Sequence, residues 1–157
     1  MTPAPTPNRR DLLRGLVAVA ALPLAAACTP GPSLPDPLEE LARAAESDAA
    51  VARAAVARFP ALAAQAGAVA TNRAEQAAAL RREIDRTATQ TAPSTTAAPS
   101  SAPPVPDDQA TVLTTLVAAL DAAQKRAAEV ALTVPSYRAG LVGSVAAGCA
   151  SLKEVLS

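Results

Sequence analysis

Apolar residues recur every three or four positions along four stretches of the chain, which is the spacing of amphipathic α-helices. These stretches cover residues 37–58, 60–88, 108–133 and 136–156. The apolar positions of the first stripe are Leu38, Leu41, Ala45, Ala52, Ala55, Phe59 and Leu62. Runs of aromatic and β-branched residues, which sheets favour, are missing from the sequence. The pattern therefore predicts an all-α fold.

One carboxylate, Asp48, falls on the first apolar stripe. Either the helix is rotated slightly at this point, so that Val51 and Ala52 share the core, or Asp48 is an inward-facing functional carboxylate. We favour the first interpretation. In the second stretch, five charged residues are expected to face water: Arg73, Arg81, Arg82, Asp85 and Arg86.

Capping residues mark the starts of two helices. Asp36 is the predicted N-cap of the first helix, with Pro37 at the first helical position. Glu39 follows the cap by three residues, which is the form of a capping box. The pair Asp107-Asp108 supplies the predicted N-cap of the third helix.

Two prolines and one long polar segment divide the helices. Pro60 and Pro135 interrupt the helical pattern within each half of the chain. We interpret both as turns, with a kink in one long helix as the alternative. Residues 89–106 are rich in Pro, Ser, Thr and Ala and are predicted to form a flexible linker. Two αα-hairpins joined in this way can close into an antiparallel four-helix bundle over residues 36–157.

Small residues recur every four positions in the last helix, at Gly140, Ser144 and Gly148. Such residues let two helix backbones approach closely. Glycine also lowers helix stability, so a tight contact is expected to offset its cost. We therefore predict close helix packing along this face, with a ligand pocket floored by the glycines as the alternative.

Residues 1–27 have the form of a signal peptide, because a basic segment precedes an apolar segment that is too short to span a bilayer. The pair Arg9 and Arg10, followed by Leu12 and Leu13, resembles the twin-arginine export signal, which a receptor reads. An ordinary secretion signal with two chance arginines is the alternative.

The cysteine at the end of this segment has the position of a lipid attachment site. Cys28 directly follows three alanines, as in a lipoprotein signal, and residues 28–35 form a predicted tether rich in Pro, Gly and Ser. Residues 1–35 are expected to be disordered. A free thiol, or a disulfide with Cys149, is the alternative at Cys28. If Cys28 is acylated, Cys149 is expected to be a buried, small apolar residue.

The composition narrows the chemistry available to the chain. It has 157 residues, half of them hydrophobic, 14 basic and 14 acidic, with 1% aromatic residues and no histidine. Histidine catalysis and histidine-bound metal are therefore excluded, and nucleic acid is not an expected partner. The remaining catalytic candidates have no base nearby in the sequence: Glu75, Ser136, Tyr137, Ser144 and Ser151. We assign no catalytic residue, cofactor or metal ligand, and we expect the protein not to be an enzyme, with a hydrolase or oxidoreductase as the alternative.

Three stretches carry a resemblance to a known family: residues 36–38 (DPL), 72–80 (NRAEQAAAL) and 138–147 (RAGLVGSVAA), the last followed by Cys149. They resemble alanine-rich, twin-arginine-exported lipoproteins of actinobacteria with a ferritin-like helical domain of unknown function. The resemblance implies a ferritin-like fold. The family often has Glu-His where this chain has Glu75-Gln76. Ferritin-like di-iron sites use Glu and Glu-x-x-His ligands, so the resemblance does not carry a metal centre to this chain.

These observations together predict where the protein acts more than what it does. We expect an exported lipoprotein on the outer face of the cytoplasmic membrane, attached through its lipid anchor. Its expected role is that of a non-catalytic helical interaction module with an envelope protein as partner. The alternative is a ferritin-like bundle that binds a small ligand or metal in the cell envelope.

Overall fold

Four α-helices account for most of the chain that the computed structural model describes, which is residues 35–88 and 104–157. No strand occurs in these two ranges, so the all-α prediction is confirmed. The predictions for the signal segment, the tether and most of the linker lie outside the described residues. The helices are α1 (Pro37–Arg58), α2 (Ala63–Ala88), α3 (Gln109–Ala131) and α4 (Ser136–Val155).

Both predicted N-caps hold the first turns of their helices. The Asp36 carboxylate accepts a hydrogen bond from the backbone N–H of Leu38 at 2.9 Å. At the start of α3, Asp108 accepts from the backbone N–H of Thr111 at 2.8 Å. The capping box differs from the prediction in one respect, because the Glu39 side chain pairs with Arg81 of α2. Asp36 therefore caps α1 while Glu39 helps to join two helices.

The prolines mark turns. Phe59 leaves the helical conformation (φ −128°, ψ 84°), and a single 3-10 turn, Pro60–Leu62, leads into α2. Arg81 of α2 contacts both Glu39 and Glu46 of α1. Residues 132–135 separate α3 from α4, and Lys153 donates to Asp121 of α3 at 2.8 Å.

Alanine forms much of the contact surface between the helices. Five of the seven buried residues of α1 are alanines: Ala42, Ala45, Ala49, Ala52 and Ala55. The most extensive packing is between α1 and α2 and between α3 and α4, and α1 also contacts α3 while α2 contacts α4. Larger side chains fill the centre, and those that are fully buried include Leu38, Val69, Leu80, Leu116, Leu120 and Val142. The predicted apolar stripes therefore form the core.

The glycine-rich face of α4 packs closely at one point only. A methyl group built on Gly140 would meet no described atom within 4 Å, and Ser144 is exposed. A methyl group on Gly148 would overlap the amide nitrogen of Gln76 in α2. Close packing in the structure thus involves Gly148, whereas Gly140 and Ser144 face open space.

This difference predicts opposite effects for two Gly→Ala substitutions in the same helix. Gly140→Ala is expected to raise the free energy of unfolding by about 0.5–1 kcal/mol, because alanine favours the helix and meets nothing. Gly148→Ala is not expected to raise the free energy of unfolding, because the added methyl group would displace the Gln76 amide and break its hydrogen bond to Asn72. Urea unfolding of both variants measures the comparison, and equal stabilisation would contradict the close contact.

Candidate functional site

A buried arginine lies at the centre of the helical unit. Arg73 of α2 is 1% exposed. Its Nε and Nη2 atoms donate hydrogen bonds of 3.0 and 2.7 Å to the same oxygen, Oδ2 of Asp48 in α1. Asp48 therefore faces inward, as in the interpretation that we did not favour. The expectation that Arg73 faces water is wrong. Because both groups are largely withdrawn from water, each charge needs the other to offset the cost of its burial.

The third nitrogen of the guanidinium extends this cluster to a third helix. Arg73 Nη1 donates to Oε1 of Gln76 at 2.6 Å and to the sulfur of Cys149 in α4 at 3.4 Å. Gln76 in turn donates from Nε2 to Asn72 at 2.8 Å. The central cluster, Asp48, Asn72, Arg73, Gln76 and Cys149, thus joins α1, α2 and α4 through side-chain hydrogen bonds.

Burial determines the protonation chemistry of this cluster. Removal from water raises the pKa of the Asp48 carboxyl, although the charge and hydrogen bonds of Arg73 act in the opposite direction. Burial also raises the pKa of the Cys149 thiol, again against the influence of Arg73. The thiol is therefore protonated at neutral pH, and a protonated thiol is a weak nucleophile.

A cavity of about 280 Å³ lies beside the central cluster, between α1 and α3. Asp48 and Arg73 line one part of it, and the Glu40–Arg126 ion pair, 2.8 Å long, lines another. No described residue donates a hydrogen bond to Oδ1 of Asp48. The remaining walls are mostly alanine and apolar: Leu41, Ala44, Ala119, Ala122, Ala123 and Val145. The cavity offers a small apolar space with one carboxylate oxygen available.

A second buried arginine, Arg138, forms hydrogen bonds with residues near the start of α1 and the end of α2. Arg138 of α4 is 7% exposed and donates to both oxygens of Asp36, at 2.7 and 3.2 Å. It also donates to Glu83 of α2 at 3.1 Å. A hydrogen bond from Arg86 is the main cause that lowers the pKa of Glu83, and Arg138 also lowers it. This carboxylate is therefore ionised at neutral pH. The cluster therefore ties the start of α1 and the start of α4 to the last turns of α2.

The residues proposed for export and lipid attachment lie outside the described ranges, so their roles stay predictions: Arg9, Arg10, Leu12, Leu13 and Cys28. In the described part of the chain, no hydrogen bond joins one candidate catalytic side chain to another. Ser144 and Ser151 donate to backbone carbonyls of their own helix. Glu75 is exposed, and Tyr137 lies against the guanidinium of Arg86 at 5.3 Å.

The described residues contain neither a cluster of metal ligands nor a helix that could span a membrane. In residues 35–88 and 104–157, no three Cys, Asp or Glu side chains lie close enough together to hold a metal ion. Within the same part of the chain, no helix has the length and hydrophobicity needed to cross a membrane.

Comparison with known proteins adds no relative to this description. No protein-family model, no curated protein and no solved structure matches the chain.

The residues that the sequence analysis missed were visible in the helical spacing. Arg73 lies four residues after Val69 and four before Ala77, both of which are buried. Arg138 lies four residues before buried Val142. Both arginines therefore occupy apolar-stripe positions. Arg73 was assigned to the surface because it is charged, and Arg138 was given no position.

The buried pair predicts a strongly non-additive response to mutation. Asp48→Ala is expected to lower the free energy of unfolding by about 3 kcal/mol, because it leaves the Arg73 charge buried without its carboxylate. Asp48→Ala combined with Arg73→Met is expected to cost less than Asp48→Ala alone, since no buried charge remains. Urea unfolding of the four proteins of this cycle measures the coupling.

Glu40→Ala is the matched control, because Glu40 and Arg126 also join two helices but are 60% and 50% exposed. Loss of this surface pair is expected to change stability by at most about 1 kcal/mol. Additive costs for Asp48 and Arg73, or a cost at Asp48 no larger than that at Glu40, would refute the central role of the buried pair.

Proposed function

We propose that this protein is an exported, lipid-anchored helical interaction module on the outer face of the cytoplasmic membrane. The observation that carries the proposal is the position of Cys28 in the sequence, directly after the signal-like segment and seven residues before Pro35. The compact helical unit begins at Pro35. An acyl anchor at Cys28 would therefore precede the folded part by a short tether and leave that part outside the membrane.

The proposed fold is an antiparallel four-helix bundle made of two αα-hairpins. Three helix pairs support it through contacts that run in opposite chain directions. In α1 and α2, Asp48 meets Arg73 while the earlier Glu39 meets the later Arg81. In α2 and α4, Arg138 meets Glu83 while the later Cys149 meets the earlier Arg73. Between α1 and the α3 segment, Glu40 meets Arg126, while the later Arg58 meets Asp107, two residues before α3 begins.

A ferritin-like relationship rests on the sequence resemblance, and the central residues do not fit the di-iron centre of that fold. Such a centre needs several inward carboxylates and Glu-x-x-His pairs. Here Gln76 stands where the resembling family often has histidine, and its amide is hydrogen-bonded to Arg73. The Arg73 guanidinium would repel a metal cation and already occupies Oδ2 of Asp48. Within residues 35–88 and 104–157, the metal-binding alternative therefore lacks a suitable set of ligands.

A non-catalytic role is supported by how the buried polar groups are used. Arg73 donates from all three of its nitrogens to side chains within the unit. The Cys149 thiol has a raised pKa, and the chain contains no histidine that could act as its base. Binding of a partner would therefore use residues on the surface of the unit.

The anchor predicts the result of one substitution. Cys28→Ala is expected to move the protein from the membrane fraction to the soluble fraction of the envelope, because the acylated sulfur is lost. Fractionation followed by immunoblotting measures the distribution. Cys149→Ala is the control, because it removes the other cysteine and should leave the protein on the membrane.

Export through the twin-arginine route is tested in the same assay. Arg9→Lys with Arg10→Lys should retain the uncleaved precursor in the cytoplasm. If the Cys28→Ala protein remains in the membrane fraction, the proposed anchor is overturned. If the double variant Arg9→Lys, Arg10→Lys is exported normally, the proposed twin-arginine route is overturned.

A second candidate function is the binding of a small apolar ligand in the cavity between α1 and α3. Its volume of about 280 Å³ is near the lower limit for small-molecule pockets. The apolar walls would hold a small hydrocarbon group, and Oδ1 of Asp48 could accept a hydrogen bond from a hydroxyl or amide on it. This candidate does not need the membrane anchor.

The cavity predicts a bound molecule in the protein as purified from its own cells. Native mass spectrometry is expected to show an added mass that Ala122→Phe removes, because the larger side chain fills the cavity. Ala118→Phe is the matched control on the same helix, since Ala118 does not line the cavity. An unmodified mass for the wild-type protein, or equal loss in both variants, would refute this function.

A further inference from the structure

One end of the helical unit combines the start of the folded chain with unusual apolar exposure. We define the tether end by Asp36, Glu83, Leu132, Tyr137 and Arg138. Arg138 contacts Asp36 and Glu83 directly. Leu132 belongs to the turn that precedes α4, and Tyr137 stands in the first turn of that helix. These residues therefore share the end of the unit at which α1 begins.

Large apolar side chains are exposed mainly at this end. In the described residues, the exposed large hydrophobic side chains are Leu132 (88%), Tyr137 (62%) and Val155 (45%). Leu132 and Tyr137 lie at the tether end, whereas Val155 is the last residue of α4. Because α4 has 20 residues, Val155 lies about 30 Å away along the helix.

The length of the tether restricts which end can approach the membrane. Pro35 lies seven residues after Cys28, with six residues between them, and a chain of this length reaches at most about 25 Å when fully extended. An acyl anchor at Cys28 would therefore keep Pro35 and the tether end close to the bilayer. The opposite end of α4 has no such restriction.

From these observations we infer that the tether end docks on the lipid bilayer, with the Leu132 and Tyr137 side chains inserted at its surface. This inference rests on the proposed anchor at Cys28. Leucine partitions into the apolar region, while tyrosine favours the interface, where its ring is buried and its hydroxyl is hydrated. Two such side chains alone bind a membrane weakly, but the anchor makes their insertion an intramolecular step.

The charges at the tether end fit a bilayer more than a strongly charged partner. Arg138 is paired with Asp36 and Glu83, and Arg86 pairs with Glu83 at 2.7 Å. Arg86 also lies over the Tyr137 ring, which places a cation beside the aromatic group at the level where lipid headgroups would lie. The paired charges present no excess of one sign around Leu132 and Tyr137.

The test uses the mature protein purified with its lipid from membranes and reconstituted into vesicles of phosphatidylcholine and phosphatidylglycerol. Leu132→Cys and Val155→Cys are labelled separately with a polarity-sensitive fluorophore. Both positions are exposed, whereas Cys149 is buried. The label at 132 is expected to shift its emission to the blue and to be quenched by spin-labelled lipid. The label at 155, the matched control, is expected to show neither change.

Tyr137 gives a second reading without any substitution. It is the only tyrosine, and the chain has no tryptophan, so tyrosine emission reports this position alone. Spin-labelled lipid is expected to quench the Tyr137 emission of the wild-type protein on vesicles. Unquenched emission, together with a water-exposed label at 132, would overturn the docking.

Mass spectrometry of the same preparation separates this inference from the anchor. Acyl mass on Cys28 with water-exposed probes overturns the docking and leaves the anchor in place. An unacylated Cys28 overturns both. Equal blue shifts at 132 and 155 would mean that the unit lies along the membrane, which overturns docking by its end. A blue shift at 132 that requires an added envelope protein assigns the surface to that partner and also overturns the inference.

Discussion

The arrangement of the helices depends on the ion pair between Arg73 and Asp48. A guanidinium that is 1% exposed must be neutralised and hydrogen-bonded within the protein. Its partners lie on three helices, because Asp48 belongs to α1, Gln76 to α2 and Cys149 to α4. Stripes of alanine define helix register poorly, since a shift by one turn replaces one alanine contact with another. The ion pair opposes such a shift, because each displaced position would leave a buried charge unpaired.

The position of the cavity follows from where these buried charges are. Both buried arginines join α1, α2 and α4, and the ion pairs that α3 makes with other described helices are surface contacts, Arg126–Glu40 and Lys153–Asp121. The hydrogen bonds from Lys125 and Lys153 lower the pKa of the Asp121 carboxyl to about 2, but this group is exposed and its pairs are screened. The seam between α1 and α3 is closed mainly by short side chains. The space of about 280 Å³ lies in this seam.

The sequence predicted the features that are set by local rules. The period of 3.6 residues and the caps at Asp36 and Asp108 placed the helices within about three residues of their observed ends. Arg73 was assigned to the surface because it is charged, an inward Asp48 was the less favoured interpretation, and Arg138 was given no position, although the helical period places all three inside. The closeness of Gly148 to Gln76 depends on which side chain of another helix faces the glycine. That partner is a matter of tertiary register, which the spacing of small residues in α4 does not contain.

Asp36 connects the start of the fold to its interior. One of its oxygens accepts from the backbone N–H of Leu38 and from Nη1 of Arg138, and the other accepts from Nη2 of Arg138. The cap of α1 is therefore also a partner of a buried cation, which in turn holds Glu83 of α2. Asp36, one residue after Pro35, is therefore linked through Arg138 to both α2 and α4. Such a connection would suit the anchor proposed at Cys28, seven residues before Pro35.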